Sequence, residues 1–323
     1  MGQPSAVESP RIDSREVGED PHRLSNLDAG CIWDAENYSC AYDVVFMAFY
    51  GMYGLSSSTW RTRWRGESPD WNGPLGDLFD ELLSASTQGK STPNQTSQML
   101  STHRNTFRQS LRQFDPSAFG PGPVLASAVR ILEILRSQPP SIPSLYQDLI
   151  CTGCATEKSN AWISLSFLGE PVPLKSLLRT GDPQPLPLQV ALSRLIERYT
   201  AEPHPSHGLC NVCKAPRLST TLRFSERTWT WFELTSDNQS LLPSLEIAVP
   251  QVISRHTLQA IVYLGDSHFT ARIRKGANTW WSYDSQLRNG SPIVETIATE
   301  EGLRTFGERV LAFLIYRCYD AND

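Results

Sequence analysis

Apolar residues in the first half of the chain recur at helical spacing. The segment that begins at Cys40, CAYDVVFMAFYGMYG, is hydrophobic on nearly all sides, which is typical of a helix buried in a core. We expect Gly51 and Gly54 to end it. Apolar residues three and four positions apart predict two further helices, at 75–83 and 122–136. The Ser-, Thr-, Gln- and Asn-rich residues 84–98 between them are predicted to form a loop.

The second half of the chain has the pattern of β-structure. Segments rich in β-branched and aromatic residues, several of them alternating, predict strands at 161–168, 228–234, 245–249, 258–264, 268–274, 279–284 and 310–317. Lys275-Gly276 predicts a hairpin turn between two of them, and residues 188–200 predict one more helix. Helices that precede strands favour an α+β fold over a doubly wound parallel sheet.

Composition narrows the classes of function. The chain has 323 residues, with 29 Lys and Arg against 34 Asp and Glu, which gives a net charge of −5. It contains no block of consecutive basic residues. This balance argues against nucleic acid as a partner, and no apolar run approaches the roughly 20 residues of a membrane-spanning helix. Residues 1–29 are polar and charged, so we predict a disordered tail with no secretory leader. We therefore expect an intracellular protein, cytoplasmic or nuclear, with no membrane partner.

Seven cysteines are present, and four of them form two Cys-x-x-Cys pairs. An odd number of cysteines in a reducing compartment argues against a disulfide framework. The pairs are Cys151 with Cys154 and Cys210 with Cys213. Four thiolates on two tight turns suit a tetrahedral zinc ion, which would be structural because no coordination position stays open. Two disulfides or a redox-active pair are the alternatives.

Cys40 is the candidate nucleophile because it stands at the start of the buried helix. Ser39 before it is a plausible N-cap. The positive end of the helix and its unpaired N–H groups would favour a thiolate there and could also hold an oxyanion. The alternative is that Cys40 is merely a small buried apolar residue. Cys31 is a rival nucleophile, but no comparable apolar helix follows it.

His268 and Asp284 are the candidate base and its orienting group. In the predicted hairpin, His268 opens one strand and Asp284 closes its neighbour, so their side chains could meet across the pair. A cysteine, a histidine and an acidic residue in these roles form the constellation of a cysteine protease. The alternative is a strand-end histidine and a hairpin aspartate that have no joint role.

Taken in this order, the residues resemble the ubiquitin-specific proteases, the papain-like family of deubiquitinating cysteine peptidases. The family's Cys box reads N-x-G-x-T-C-Y-x-N-S-x-L-Q, and residues 37–46 read NYSCAYDVVF. Its His box reads G-H-Y-x-A-Y and then W-Y-x-F-[DN]-D, and residues 267–272 and 281–285 read SHFTAR and WSYDS. His268 and Asp284 lie 16 residues apart, close to the family interval. LAFLIY at 311–316 is similar to the family's terminal strand, and both CxxC pairs fit its fingers.

The resemblance covers about residues 29–320 and implies a papain-like α+β hand. A helical thumb at about 30–145 would hold Cys40, a β palm at about 236–320 would hold His268 and Asp284, and zinc-bearing fingers would occupy about 146–235. The implied activity is thiol-dependent hydrolysis of the peptide or isopeptide bond after the C-terminal glycine of ubiquitin or a ubiquitin-like modifier. The implied cofactor is one structural zinc ion bound by four cysteines, and the protein is expected to be a monomer.

The chain departs from the family at the oxyanion site. The family has an asparagine five residues before the nucleophile, where this chain has Ala35. Asn37, or else Asp34, would have to replace it, and losing a well-placed oxyanion donor costs about 10²–10³ in rate. Ser285 also stands where the family has a second acidic residue. A catalytically inactive ubiquitin-binding module is therefore the main alternative, and a zinc-knuckle interaction protein is a third interpretation.

Overall fold

The chain folds as a mixed structure of helices and predominantly antiparallel sheets. The computed structural model describes residues 27–87, 91–136, 145–151, 153, 158–163, 179–201, 205–209, 213–224, 228–234, 241–248 and 255–319. The predicted α+β class is confirmed at this level. Leu27 and Ala29 are buried in the core, so the last part of the predicted tail, which was expected to end at residue 29, is packed against the core.

The described residues contain six α-helices: α1 (Cys40–Gly54), α2 (Ser58–Glu67), α3 (Asn72–Thr87), α4 (Pro93–Phe114), α5 (Ala128–Arg136) and α6 (Leu188–Ala201). The predicted helices at 75–83 and 188–200 are confirmed, within α3 and α6. The buried helix at Cys40 is also confirmed, because every residue of α1 is buried. Gly51 does not end that helix. It lies inside α1, where the missing side chain lets the helix approach Ile273 of the sheet.

Two predictions for the helical half were wrong. Residues 84–98 are not one loop, because α3 runs to Thr87 and α4 starts at Pro93. The polar composition hid a capping box, in which Thr92 and Gln95 bond each other's backbone and Pro93 occupies the first helical turn. The helix predicted over 122–136 starts only at Ala128, where the Ser127 hydroxyl accepts the N–H of Arg130.

The described strands are fourteen in number: β1 (Leu145–Cys151), β2 (Lys158–Ile163), β3 (Leu186–Pro187), β4 (Pro205–Leu209), β5 (Pro216–Phe224), β6 (Trp229–Glu233), β7 (Leu241–Leu242), β8 (Glu246–Ala248), β9 (Arg255–Gly265), β10 (His268–Arg274), β11 (Thr279–Tyr283), β12 (Ile293–Thr296), β13 (Thr305–Phe306) and β14 (Arg309–Tyr319). The predicted strands from residue 228 onward are confirmed within a few residues. The strand predicted at 161–168 is described only as far as Ile163.

One antiparallel sheet of eight strands organises the molecule. Its order is β12-β11-β10-β9-β14-β13, with β6 paired to β14 and β8 paired to β9. Neighbouring residues along its strands face opposite sides, as the period of two requires. Trp281 packs in the core shared with helices α1–α5, and Trp280 packs in a second core with α6. The sheet is therefore covered on both faces.

A second, four-stranded antiparallel sheet is formed by residues of the 145–224 segment. Its order is β2-β1-β5-β4, and it shares no strand with the larger sheet. Three of its strands, β1, β4 and β5, were not predicted. None of the described helices combines the length and the apolar character needed to cross a bilayer.

Candidate active site

Cys40 is the first residue of α1 and is 5% exposed. Ser39, the predicted N-cap residue, does not cap α1, because its side chain makes no capping bond. The Ser39 hydroxyl instead donates to Asp43 Oδ2 at 2.8 Å and accepts the Asp34 N–H at 2.8 Å. The first intrahelical bond runs from the Asp43 N–H to the Ser39 carbonyl. The N–H groups of the first helical turn therefore have no acceptor within the helix.

His268 and Asp284 meet at the end of the β10–β11 hairpin. The predicted turn is confirmed, since β10 and β11 pair with Ala271 opposite Tyr283. This register places Asp284 diagonally across from His268, on the same face of the sheet, where long side chains reach each other. His268 Nε2 lies 2.8 Å from Asp284 Oδ1, and both residues are buried.

The electrostatics of this pair favour a charged imidazole. Burial lowers the pKa of His268, but the hydrogen bond with the Asp284 carboxylate and the nearby Cys40 thiol outweigh burial and raise the pKa to about 9. Burial of Asp284 opposes its charge, yet its bonds with His268 and with the Gln286 N–H hold its pKa below the ordinary value. His268 can therefore carry a proton at neutral pH.

The second nitrogen of His268 is the one left for Cys40. Nε2 is bonded to Asp284, whereas Nδ1 is buried and accepts or donates no hydrogen bond among the described residues. Cys40 is nonetheless near enough to raise the pKa of His268. The structure thus brings Cys40, His268 and Asp284 into one cluster.

Asn37 lies in the turn before Cys40, but its amide is already engaged. Its Nδ2 donates to Asp34 Oδ2 at 2.7 Å. An amide nitrogen carries two hydrogens, so this bond orients the group and leaves one donor. Asp34 and Asn37 are held together, and Ala35 is exposed. The role of Asn37 as an oxyanion donor stays a prediction.

Two residues that the sequence patterns did not single out contact the pair. Arg309 Nη2, at the start of β14, lies 3.5 Å from Asp284 Oδ2, so the carboxylate stands between an imidazole and a guanidinium. Trp33 packs its ring edge-on against the ring of His268, with centroids 6.5 Å apart. Neither belongs to a recognisable motif. Arg309 reaches the site only through the pairing of β14 with β9, which a linear pattern does not reveal.

The other cysteines near the core are poor candidates for a nucleophile. Cys31 is fully buried, and burial raises the pKa of its thiol well above the ordinary value. Burial raises the pKa of Cys318, in β14, in the same way. A thiol that stays protonated reacts slowly. Of the three thiols, Cys40 is the one that contributes to the raised pKa of His268, the histidine bonded to Asp284.

The predicted zinc ligands are described only in part. Cys154, Cys210 and the side chain of Cys151 lie outside the described residues, and Cys213 is exposed. A side chain added at Gly153 would come 2.9 Å from Cys213 Sγ, so the two CxxC turns approach closely. Within the described part of the chain, no group of three or more His, Cys, Asp or Glu is placed to hold a metal ion. The zinc site stays a prediction.

No protein-family model and no curated protein matches the chain. Among solved structures, the PAN2 pseudoubiquitin-hydrolase-RNase module of Saccharomyces cerevisiae is similar, with a TM-score of 0.48 and 14% identity, over 99% of this chain and 57% of that chain. The pseudoubiquitin-hydrolase of the same yeast PAN2 gives 0.42 and 12%, over 98% of this chain and 92% of that one.

The Pan2 catalytic unit of Neurospora crassa, with protease and nuclease domains, gives a TM-score of 0.42 and 12% identity, over 91% of this chain and 57% of that chain. This chain thus spans little more than half the length of two of these three structures. At TM-scores of 0.42–0.48 and identities of 12–14%, these likenesses identify neither a family nor an activity for this chain.

Proposed function

We propose that this protein is a thiol-dependent hydrolase that cleaves the bond after the C-terminal glycine of ubiquitin or a ubiquitin-like modifier. The observation that carries the proposal is the buried imidazole of His268, which is bonded to Asp284 through Nε2 and adjoins the Cys40 thiol at the start of a helix. The choice of modifier rests on the resemblance of these motifs to the ubiquitin-specific proteases.

In the first half of this reaction, the Cys40 thiolate attacks the carbonyl carbon of the modifier's terminal glycine. The negative charge that develops on the carbonyl oxygen is stabilised by the unpaired N–H groups at the start of α1, and by the remaining amide donor of Asn37. His268, protonated and held by Asp284, gives its proton to the departing lysine amine. The result is a thioester between Cys40 and the modifier.

In the second half, a water molecule attacks the thioester. Neutral His268 takes a proton from the water, and the tetrahedral intermediate collapses by expelling the Cys40 thiolate. The product acid loses its proton to solvent, and the thiolate and the imidazolium are restored. Asp284 keeps the same nitrogen of His268 engaged throughout, so Nδ1 stays directed to the reacting atoms.

The fold fits a hand-like arrangement. The helices α1–α5 would form the thumb, the eight-stranded sheet the palm, and the four-stranded sheet the fingers. Cys40 belongs to the helical part, and His268 and Asp284 belong to the large sheet. The site therefore lies where two structural layers meet, which is a usual position for a substrate cleft.

We further propose that Cys151, Cys154, Cys210 and Cys213 bind one structural zinc ion. Cys151 ends β1 and pairs with Arg217 of β5, which brings it close along the sheet to Cys213. The contact of Gly153 with the Cys213 sulfur supports the same conclusion. Bound zinc would supply a cross-link between the two turns, and four thiolates leave it no open position for catalysis.

A catalytically inactive ubiquitin-binding module is the second candidate. Two observations favour it. Cys40 is only 5% exposed, and one of the two amide hydrogens of Asn37 is already bonded to Asp34. In such a module the triad residues would serve only to hold the layers together.

Turnover and binding, measured side by side, separate these functions. A panel of ubiquitin and ubiquitin-like modifiers with a fluorogenic C-terminal amide should yield hydrolysis by the wild-type chain and none by Cys40→Ala. Cys318→Ala, which removes another buried thiol, should keep most of the activity. Binding of ubiquitin without turnover, unchanged by Cys40→Ala, would establish the inactive module. If the chain neither binds nor cleaves any modifier of the panel, both proposals are refuted.

A further inference from the structure

A buried ion pair lies directly behind the candidate nucleophile. Arg104 of α4 donates to the carboxylate of Asp43, and the two residues are 1% and 0% exposed. Removing two charges from water costs several kcal/mol each, and such pairs often contribute nothing to stability compared with apolar residues of the same size. Stability alone is therefore a poor explanation for this pair.

The pair is connected to Cys40 by a chain of hydrogen bonds. Asp43 lies one helical turn after Cys40 and accepts the hydroxyl of Ser39 at 2.8 Å. Ser39 immediately precedes the nucleophile and accepts the Asp34 N–H at 2.8 Å. Arg104 thus fixes Asp43, Asp43 fixes Ser39, and Ser39 fixes the turn that leads into Cys40.

Helix α4 holds the segment before Cys40 at two further points. The Ser101 hydroxyl accepts the Ile32 N–H at 2.8 Å, and Arg104 Nη2 donates to the Ile32 carbonyl at 3.2 Å. Arg108 Nη1 lies 3.8 Å from Asp34 Oδ2. Ser101, Arg104 and Arg108 are spaced three and four residues apart, so they lie on one face of α4. That face follows the lead-in segment from Ile32 to Asp34.

The backbone between Asp34 and Cys40 is strained. Tyr38, two residues before Cys40, has a φ of 45°, a left-handed conformation that costs a non-glycine residue about 1–2 kcal/mol. Such a conformation persists only where surrounding contacts over-determine it. Here the turn is closed by two bonds between Asp34 and Ser39, from the Ser39 N–H to the Asp34 carbonyl at 3.3 Å and from the Asp34 N–H to the Ser39 hydroxyl at 2.8 Å. Asp43 contacts Ser39, and Arg108 of α4 contacts Asp34.

We propose that Arg104 is a positioning residue that acts through Asp43 and Ser39 to set the Cys40 thiol and the N–H groups at the start of α1. This inference rests on the proposed function for its catalytic meaning. It also predicts a property of the isolated chain, namely the reactivity of Cys40, which can be measured without any modifier.

Two double variants distinguish positioning from mere packing. Asp43→Leu with Arg104→Met replaces the ion pair by apolar residues of similar size. The cost of burying two charges disappears and offsets the lost bonds to Ser39 and Ile32, so the unfolding temperature should stay close to that of the wild type. This variant should nevertheless slow alkylation of Cys40 by iodoacetamide by about 10- to 100-fold, as expected for a misplaced reacting group. Asp43→Asn with Arg104→Gln keeps an acceptor for Ser39 and should recover most of the rate.

Arg136→Met is the matched control. Arg136 is another buried arginine, on α5, that donates to a backbone carbonyl far from Cys40 in sequence. This variant should leave the alkylation rate of Cys40 within about threefold of the wild type, even if it lowers stability.

The readout is the alkylation of the Cys40 peptide followed by mass spectrometry, with turnover of the ubiquitin amide beside it. If the apolar pair keeps the wild-type alkylation rate, or if the rate merely follows the unfolding temperature across all variants, the positioning role is wrong. If alkylation responds as expected but the wild type turns over no modifier, the proposed function fails and the positioning role stands. With turnover present, the apolar pair should lower kcat and leave KM unchanged.

Discussion

Replacing Asp284 by Asn should lower the pKa of His268 and slow acylation of Cys40. In the wild-type chain, burial lowers this pKa, whereas Asp284 and Cys40 raise it, to about 9. Asparagine preserves the size of the side chain and removes its charge. In the variant, burial still lowers the pKa of His268, and only Cys40 still raises it. We expect the pKa to fall to its ordinary value of about 6.5, or below.

The size of the effect follows from these two values. At pH 7.5, a pKa of about 9 keeps about 97% of the imidazole protonated, whereas a pKa of about 6.5 keeps only about 9%. This loss alone slows acylation about tenfold. The new amide can also donate to Nε2 and impose the wrong tautomer, a change that costs about 10⁴-fold in a serine-protease triad. The expected loss therefore lies between about tenfold and about 10⁴-fold.

The assay is the rate at which ubiquitin with a C-terminal electrophile modifies the protein, followed from pH 5.5 to 10. In the wild type the rate should fall above about pH 9, as His268 loses its proton. This fall in rate is the alkaline limb of the pH–rate profile, and in Asp284→Asn it should shift to lower pH by about two pH units or more. Glu295→Gln, which removes a carboxylate paired with Arg272 in the same sheet, should leave the limb in place. An unchanged limb in Asp284→Asn would refute the assigned pair.

The same interaction should appear in the stability of the fold. The pKa of His268 is raised above its ordinary value, so the charged pair stabilises the folded chain fully below about pH 6.5. This contribution is lost as pH rises through about 9. The wild-type free energy of unfolding should therefore decline across that window more steeply than that of Asp284→Asn. Equal slopes, measured by urea unfolding, would contradict the assignment.

Three further predictions follow from other contacts. One zinc ion per chain should co-purify with the protein. Cys213→Ser should release the zinc and lower the unfolding temperature, whereas Cys318→Ser should retain the zinc. Metal analysis that finds no zinc in the wild type would exclude the site. Arg309→Met should remove the cation 3.5 Å from Asp284 and slow acylation about three- to tenfold, with unchanged ubiquitin affinity; a change in affinity alone would show a substrate contact instead. Burial raises the pKa of Glu233 to about 7, so Glu233→Gln should stabilise the fold at pH 8 by about 1 kcal/mol and have no effect at pH 4; an equal effect at both values would rule out this cause.

The sequence patterns located the elements that carry the candidate site, because those elements are the most regular. Strand β10 was predicted with its observed bounds, since its residues alternate between the two faces of the sheet. Helix α1 was predicted because it is apolar all round. Helix α4 was not, because its interior is polar and its start is marked only by the capping box at Thr92. The residues of α4 that contact the segment before Cys40 were therefore missed.

The pairing of His268 with Asp284 was predictable from a hairpin register, which is a local property of the chain. The contacts of Arg309 and Arg104 were not. Arg309 reaches Asp284 through strands that are distant in sequence, and Arg104 reaches Asp43 across 61 residues. Such contacts depend on how layers pack, and no spacing rule encodes them. The predicted N-cap role of Ser39 failed for a related reason, because Asp43 and Asp34 compete for its hydroxyl.

The most direct test of the proposed activity is the mass of the chain after incubation with modifiers that carry a C-terminal electrophile. The account predicts an increase by one modifier, located on Cys40 by peptide mapping, absent in Cys40→Ala and retained in Cys318→Ala. An adduct that persists in Cys40→Ala would assign the chemistry to another residue. No adduct with ubiquitin or any ubiquitin-like modifier would contradict the proposal that this protein is a hydrolase of that class.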